Sequence, residues 1–130
     1  MLRSGILIAA GTIAFAVSAA PRPADRDAAE VEKSLRDTIP GKPQSCISPN
    51  RSGGSTRYGD TLLIRGMSGV TYVSRFAPGC APRSDSYAMI SRRPSTQLCR
   101  GDIVEFRDLT SGGFGGACAY GDFTPHRRPR

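Results

Sequence analysis

All but two of the 18 cations in this 130-residue chain are arginine; only Lys33 and Lys42 are lysine. A guanidinium keeps its charge at any physiological pH, and its planar fork of donors matches phosphate and carboxylate oxygens. The chemistry on offer is therefore anion binding. The candidate contact residues are Arg65, Arg75, Arg92, Arg93 and Arg107, which fall on or beside expected strands, with Tyr72 as a ring able to stack among them. The formal net charge of +7 is unevenly spread: residues 20–40 carry four cations against five acids, so residues 41–130 hold the whole excess. The implied partner is an anionic envelope surface or another polyanion, with a protein partner as the other class. The plainer alternative is a set of solvated arginines scattered along strands, since only Arg92–Arg93 and Arg127–Arg128 are adjacent.

Catalytic chemistry has less to work with. The one histidine, His126, lies in the run His126-Arg-Arg-Pro-Arg130, where Pro125 and Pro129 oppose regular structure. Residues 125–130 read as a frayed basic tail, with electrostatic contact to an anionic envelope surface as the other reading, and are a poor platform for the held imidazole that a Ser–His–acid site requires. Asp102 and Glu105 are three apart, so on a strand they face opposite sides; Glu105 and Arg107 share a face and suit a salt bridge. The loop 111–116 lacks the lysine and the flanking helix of a phosphate loop. Arg100-Gly101-Asp102 is ordinary turn chemistry opening a strand. No catalytic residue, metal ligand or cofactor is assigned.

Cys46, Cys80, Cys99 and Cys118 are separated by 34, 19 and 19 residues. That spacing contains neither a C-x-x-C redox motif nor the close pairs of a zinc ribbon. An even number of cysteines in a small exported chain implies two disulfides, with three connectivities open. The favoured one is nested: Cys80–Cys99 closing an inner loop around one strand, and Cys46–Cys118 joining the first and last strands.

Export itself is expected from residues 1–19. Arg3 precedes the uncharged apolar run 5–17, and Val17-Ser18-Ala19 offers the small residues of a signal-peptidase site before Ala20. The apolar run is shorter than the roughly 20 residues that span a bilayer, so no transmembrane segment is expected after cleavage. The location implied is periplasmic or secreted.

The elements that must position these residues follow from pattern. Residues 20–43 form a leader and an amphipathic helix over 27–39: Asp27 is the expected N-cap, Val31, Leu35 and Ile39 make one narrow apolar stripe, Glu32 and Arg36 pair at i,i+4, and Pro40-Gly41 stops it. The stripe suits a helix covering one face of a sheet. From residue 44 the pattern turns extended. Strands are expected at 45–48, 61–65, 70–76, 87–91, 103–107 and 117–123, with 49–55 as a loop and the turn 66–69 making a hairpin of 61–65 and 70–76. With 15 glycines and 10 prolines, the chain is turn-rich but still able to bury one small core. The expected fold is mainly β (α+β): an N-terminal helix, then a disulfide-stapled domain over 44–124 in which five or six mostly antiparallel strands make a curled sheet or small open barrel.

Together, Cys46-Ile47, the strand Asp60–Arg65, Thr71-Tyr72-Val73, Phe76-Ala-Pro-Gly-Cys80, Leu98-Cys99-Arg-Gly-Asp-Ile103 and Gly116-Ala-Cys-Ala-Tyr-Gly121 resemble a family of small exported four-cysteine proteobacterial proteins of unknown function. The likeness covers about residues 45–125 and rests on the order of the cysteines. It implies an envelope location and disulfides, and carries no activity. The function expected is that of an exported, non-enzymatic envelope-associated or binding protein that contacts anionic ligands through arginine. The alternative is a small secreted hydrolase or a hydrolase inhibitor, which an acid and a second titratable group in one pocket would favour.

Overall fold

The computed structural model describes residues 14–16, 18–49 and 52–130; most of the expected signal peptide, residues 1–19, falls outside them. Among the described residues no helix is long and apolar enough to cross a membrane. The chain is mainly β with one helix, and its antiparallel sheets do not close into a barrel.

Helix α1 spans Pro23–Ser34. It begins four residues earlier than the pattern suggested because Pro23 occupies the first helical position, where its fixed φ is already helical and its missing N–H is no loss. The backbone N–H of Arg22 donates to Asp25 Oδ2 at 3.2 Å. The helix also ends early, and Asp37 at φ 63° turns the chain away. Ile39 therefore leaves the apolar stripe; it is 59% exposed and starts β1 (Ile39–Pro40). Val31 and Leu35 keep their expected role, packing with Tyr58 on Leu63 and Val73.

The strands that follow are β2 (Cys46–Ile47), β3 (Ser52–Tyr58), β4 (Thr61–Gly66), β5 (Thr71–Arg75), β6 (Tyr87–Ser91), β7 (Leu98–Cys99), β8 (Ile103–Asp108), β9 (Phe114–Ala119) and β10 (Thr124–Arg127). They form a five-stranded sheet in the order β1-β10-β5-β4-β3, a three-stranded sheet β6-β8-β9 and a ribbon β2-β7. Alternation divides the five-stranded sheet: Leu63 and Val73 face α1, whereas Leu62, Ile64 and Phe76 face the main core. That core also takes Val104, Phe106 and Cys118 from the second sheet, Ile47 and Leu98 from the ribbon, and Tyr120 and Phe123. Phe76 meets Phe106 edge-on with centroids 5.9 Å apart.

Three expectations are corrected here. The stretch 49–55 is not all loop, because β3 pairs with β4 through a register shift between Ser52 and Ser55; its glycines and serines hid the edge strand. Residues 125–130 are not simply a frayed tail. Thr124–Arg127 is an inner strand, paired with β5 on one side and β1 on the other. Pro125 is tolerated because its carbonyl accepts from Gly41 N–H at 2.7 Å; its missing N–H thus faces past the two-residue β1 and leaves the ladder to β5 intact.

The third correction is the disulfide pairing. The bridges are Cys46–Cys99 and Cys80–Cys118, interleaved rather than nested. Cys46 and Cys99 stand directly opposite each other in the β2–β7 register, with Cα atoms 4.0 Å apart. Cys118 points into the core from β9, where it meets Cys80 in the loop after β5. That loop is held by Asp60, whose carboxylate accepts from Gly79 N–H at 2.7 Å and Ala81 N–H at 3.0 Å. The bridge therefore joins the five-stranded sheet to the three-stranded one.

Candidate functional site

The arginines fall into two groups. On and near the three-stranded sheet they have partners. Glu105 accepts from Arg107 at 3.1 Å and lies 3.5 Å from Arg92, and the Arg107 guanidinium also sits 5.3 Å from the centre of the Phe114 ring. Arg93 points its Nη1 at Thr96 O, 3.5 Å away. Tyr72 packs against the main core, on the opposite face of β5 from Arg75. Of the six candidate contact residues, Arg92 and Arg107 converge on the Glu105 carboxylate, whereas Arg65 and Arg75 share one face of the five-stranded sheet. Arg65 is paired in register with Thr71, and Thr71 and Arg75 share the side of β5 that α1 covers.

Around Arg65 the structure assembles what the sequence had kept apart. An open cleft of about 550 Å³ lies between the end of α1, the β4–β5 turn and the end of β10. Arg36, Arg65, Arg127, Arg128 and Arg130 all contribute to its walls, and no acid does. Among the described residues none of these five arginines lies within 4.0 Å of a carboxylate. The expected Glu32–Arg36 pair is absent because the helix has ended before Arg36. Hydroxyl-bearing Ser68 and Thr71 line the same walls and supply neutral donors, while the Ser34 hydroxyl, also in the wall, donates to Glu30 O at 2.8 Å. The C-terminal end of α1 works against an anion here, with a partial charge of about −0.5. Five formal positive charges outweigh it.

His126 is held at the margin of this cleft. It lies opposite Thr71 in β10, and its Nδ1 is 3.3 Å from Thr38 Oγ1. The Thr38 hydroxyl donates to Leu35 O at 2.6 Å, so its oxygen is the acceptor for Nδ1–H. The neutral imidazole is thereby fixed with Nε2 unprotonated. Burial, and then the charge of Arg75, hold the imidazole below its ordinary value of 6.5. On the far side His126 lines a second cleft of about 310 Å³ with Val73, Arg75, Gly121, Asp122 and Thr124. Asp122 is 3.2 Å from Arg100. Gly121 is required where it stands, because an added Cβ would lie 2.6 Å from the carbonyl oxygen of Arg75.

Sequence reasoning missed Arg36 as a wall residue and missed the fixed His126; it weighed the basic run holding Arg127, Arg128 and Arg130 as an anion contact but preferred a frayed tail, and did not place it in a cleft. The adjacency of Arg127 and Arg128 was the available signal, masked by the prolines on either side. Among the described residues no three His, Cys, Asp or Glu side chains gather as metal ligands would. Comparison with protein-family models, with curated proteins and with solved structures finds no match.

Proposed function

We propose that this is an exported, non-enzymatic binding protein that takes an anionic envelope ligand in the arginine cleft between α1, the β4–β5 turn and β10. The observation that carries this reading is the wall of five arginines, free of acids and of ion pairs among the described residues. Charges of one sign repel when brought together, and an incoming anion relieves that repulsion. Two disulfides suit an oxidising compartment, and the apolar run 5–17 supplies the export signal. Kinship with small exported four-cysteine proteins belongs to the same proposal.

The test is binding of the oxidised protein to inorganic polyphosphate across a salt series, alongside the Arg65→Gln/Arg127→Gln variant. Counterion release demands that affinity fall steeply with salt, and the double variant should flatten that slope by up to about two charges. Binding that ignores salt, or a double variant that binds as the parent does, refutes the cleft. Export is tested separately, by fractionation and by N-terminal sequencing of the exported form, with Ala20 as the expected first residue.

The hydrolase reading draws on one observation: Asp122 and His126 line a common cleft, and the imidazole is held with a free Nε2. Against it, Thr38 and not a carboxylate orients the ring, and Asp122 is engaged by Arg100. Phosphoester or peptide hydrolysis that His126→Gln abolishes would establish it over the binding reading.

A further inference from the structure

The two clefts beside His126 open on the same face of the five-stranded sheet. Thr71, Val73 and Arg75 alternate along β5 and point the same way; Thr71 lines the larger cleft, Val73 and Arg75 the smaller. His126 lines the smaller cleft, and its hydrogen-bond partner Thr38 lines the larger. The clefts therefore meet at the His126–Thr38 contact. At about 3.4 Å per strand residue, Thr71 and Arg75 stand about 14 Å apart, which is longer than a single phosphate group. Arg75 is exposed and makes no ion pair among the described residues. The carboxylate nearest to it in the wall, Asp122, is already engaged by Arg100. Cations thus stand at both ends of a track whose middle holds the Thr71 and Thr124 hydroxyls and the His126 imidazole, with Val73 buried against α1.

The track's composition narrows the ligand. Its walls contain no Phe, Tyr or Trp, so nucleobases would find no ring on which to stack. Arginine with serine and threonine hydroxyls is suited to phosphate oxygens. We infer that the two clefts act as one track for a linear phosphate chain without bases, with Arg75 holding the end that reaches past His126. This inference rests on the anion-binding reading and specifies its ligand.

The experiment compares triphosphate with inorganic polyphosphate several-fold longer, on the oxidised full chain and on Arg75→Gln. Longer chains bind more tightly in any case because they offer more registers, so the decisive quantity is the effect of the substitution at each length. Loss of one charge-assisted contact should weaken the long chain about tenfold. Triphosphate, seated among the five arginines of the larger cleft, should change by less than about twofold. The melting temperature of the variant controls for folding, and Arg75 is exposed enough to leave it unchanged. Equal effects at both lengths, or none at the longer, overturn the track and leave the arginine cleft standing. Failure of every phosphate probe to bind overturns both readings. An oligonucleotide of equal charge that outcompetes polyphosphate overturns the ligand class.

Discussion

The arginines that reach the three-stranded sheet and those that wall the cleft have the same side chain in opposite surroundings. Arg57 is the extreme of the first group. Its side chain is 7% exposed, and its guanidinium donates to the carbonyls of Gly59, Pro82 and Ser84 at 2.8–2.9 Å. It also lies 5.4 Å from the centre of the Phe106 ring. Its nearest acid, Asp85, is 3.9 Å away and 94% exposed, so carbonyls and ring hold this cation more than the ion pair does. Arg57 thus ties β3 to the 82–84 segment and to the core. In the cleft, Arg65 and its neighbours lie close together with no partner among the described residues. Partnered arginines stabilise a fold; an unpartnered group of one sign is a local conflict of the kind expected at a functional site.

The largest effect that would sharpen this contrast comes from the bridge anchoring the partnered region. Replacing Cys80 and Cys118 together by serine opens a loop with a sequence separation of 38, and chain-entropy reasoning makes this worth about 4 kcal/mol. For a domain whose whole stability is of order 5–15 kcal/mol, denaturant midpoints should fall far. A non-reducing peptide map that joined Cys46 to Cys118 instead would remove the basis of this expectation.

Next in size is Arg57→Met, which keeps the stem but strips the donors from three carbonyls. The expected loss is about 3 kcal/mol in equilibrium unfolding, with polyphosphate affinity unchanged for the folded fraction. Arg65→Gln should do the reverse, weakening binding while stability stays within about 0.5 kcal/mol. If Arg57→Met weakened binding as much as Arg65→Gln does, the division into structural and ligand-facing arginines would collapse. Smaller again is Arg107→Ala. It removes a half-exposed pair with Glu105 and a ring contact with an exposed Phe114, so chemical denaturation should register about 0.5 kcal/mol.

How far this contrast could be read from the chain depends on the range of the interactions involved. The helix, the β4–β5 hairpin, β6 and β8 are set by local periodicity and turn residues, and so were legible. So was the Glu105–Arg107 pair, because residues two apart on a strand share a face. Ile39, Pro125 and the cysteine pairing were not, because each is decided by a distant strand. β10 pairs with β1 and β5 across more than 50 residues of chain, and only that pairing brings Arg127 beside Arg36 and Arg65. Prolines that locally argue against a strand are tolerated once the partner on one side is only two residues long. The arginines were visible as a supply of charge; their division into partnered and unpartnered groups is a property of topology.

The smallest effect separates the two regions by pH. Arginine does not titrate in the accessible range, so neither group of guanidiniums answers to mild acid. His126 does. The groups facing it are Arg75 and Thr71 on β5, Thr38 and Pro40 on the segment before and in β1, and Asp122 in the second cleft. Burial and Arg75 lower its pKa in the fold, so below about 6.5 the unfolded chain takes up the proton first. Stability should therefore fall as pH drops from neutrality through that value, and level off once the folded imidazole is also protonated. Bound polyphosphate favours the charged ring, so affinity should rise over the same window in which stability falls. His126→Gln should flatten both profiles. Asp108, held below the carboxylate range by the backbone N–H groups of Ser111 and Thr110, loses its contribution only as pH falls below about 3.8, well clear of this window. Parallel rather than opposed trends in stability and affinity would place His126 outside the ligand's reach and confine binding to the larger cleft.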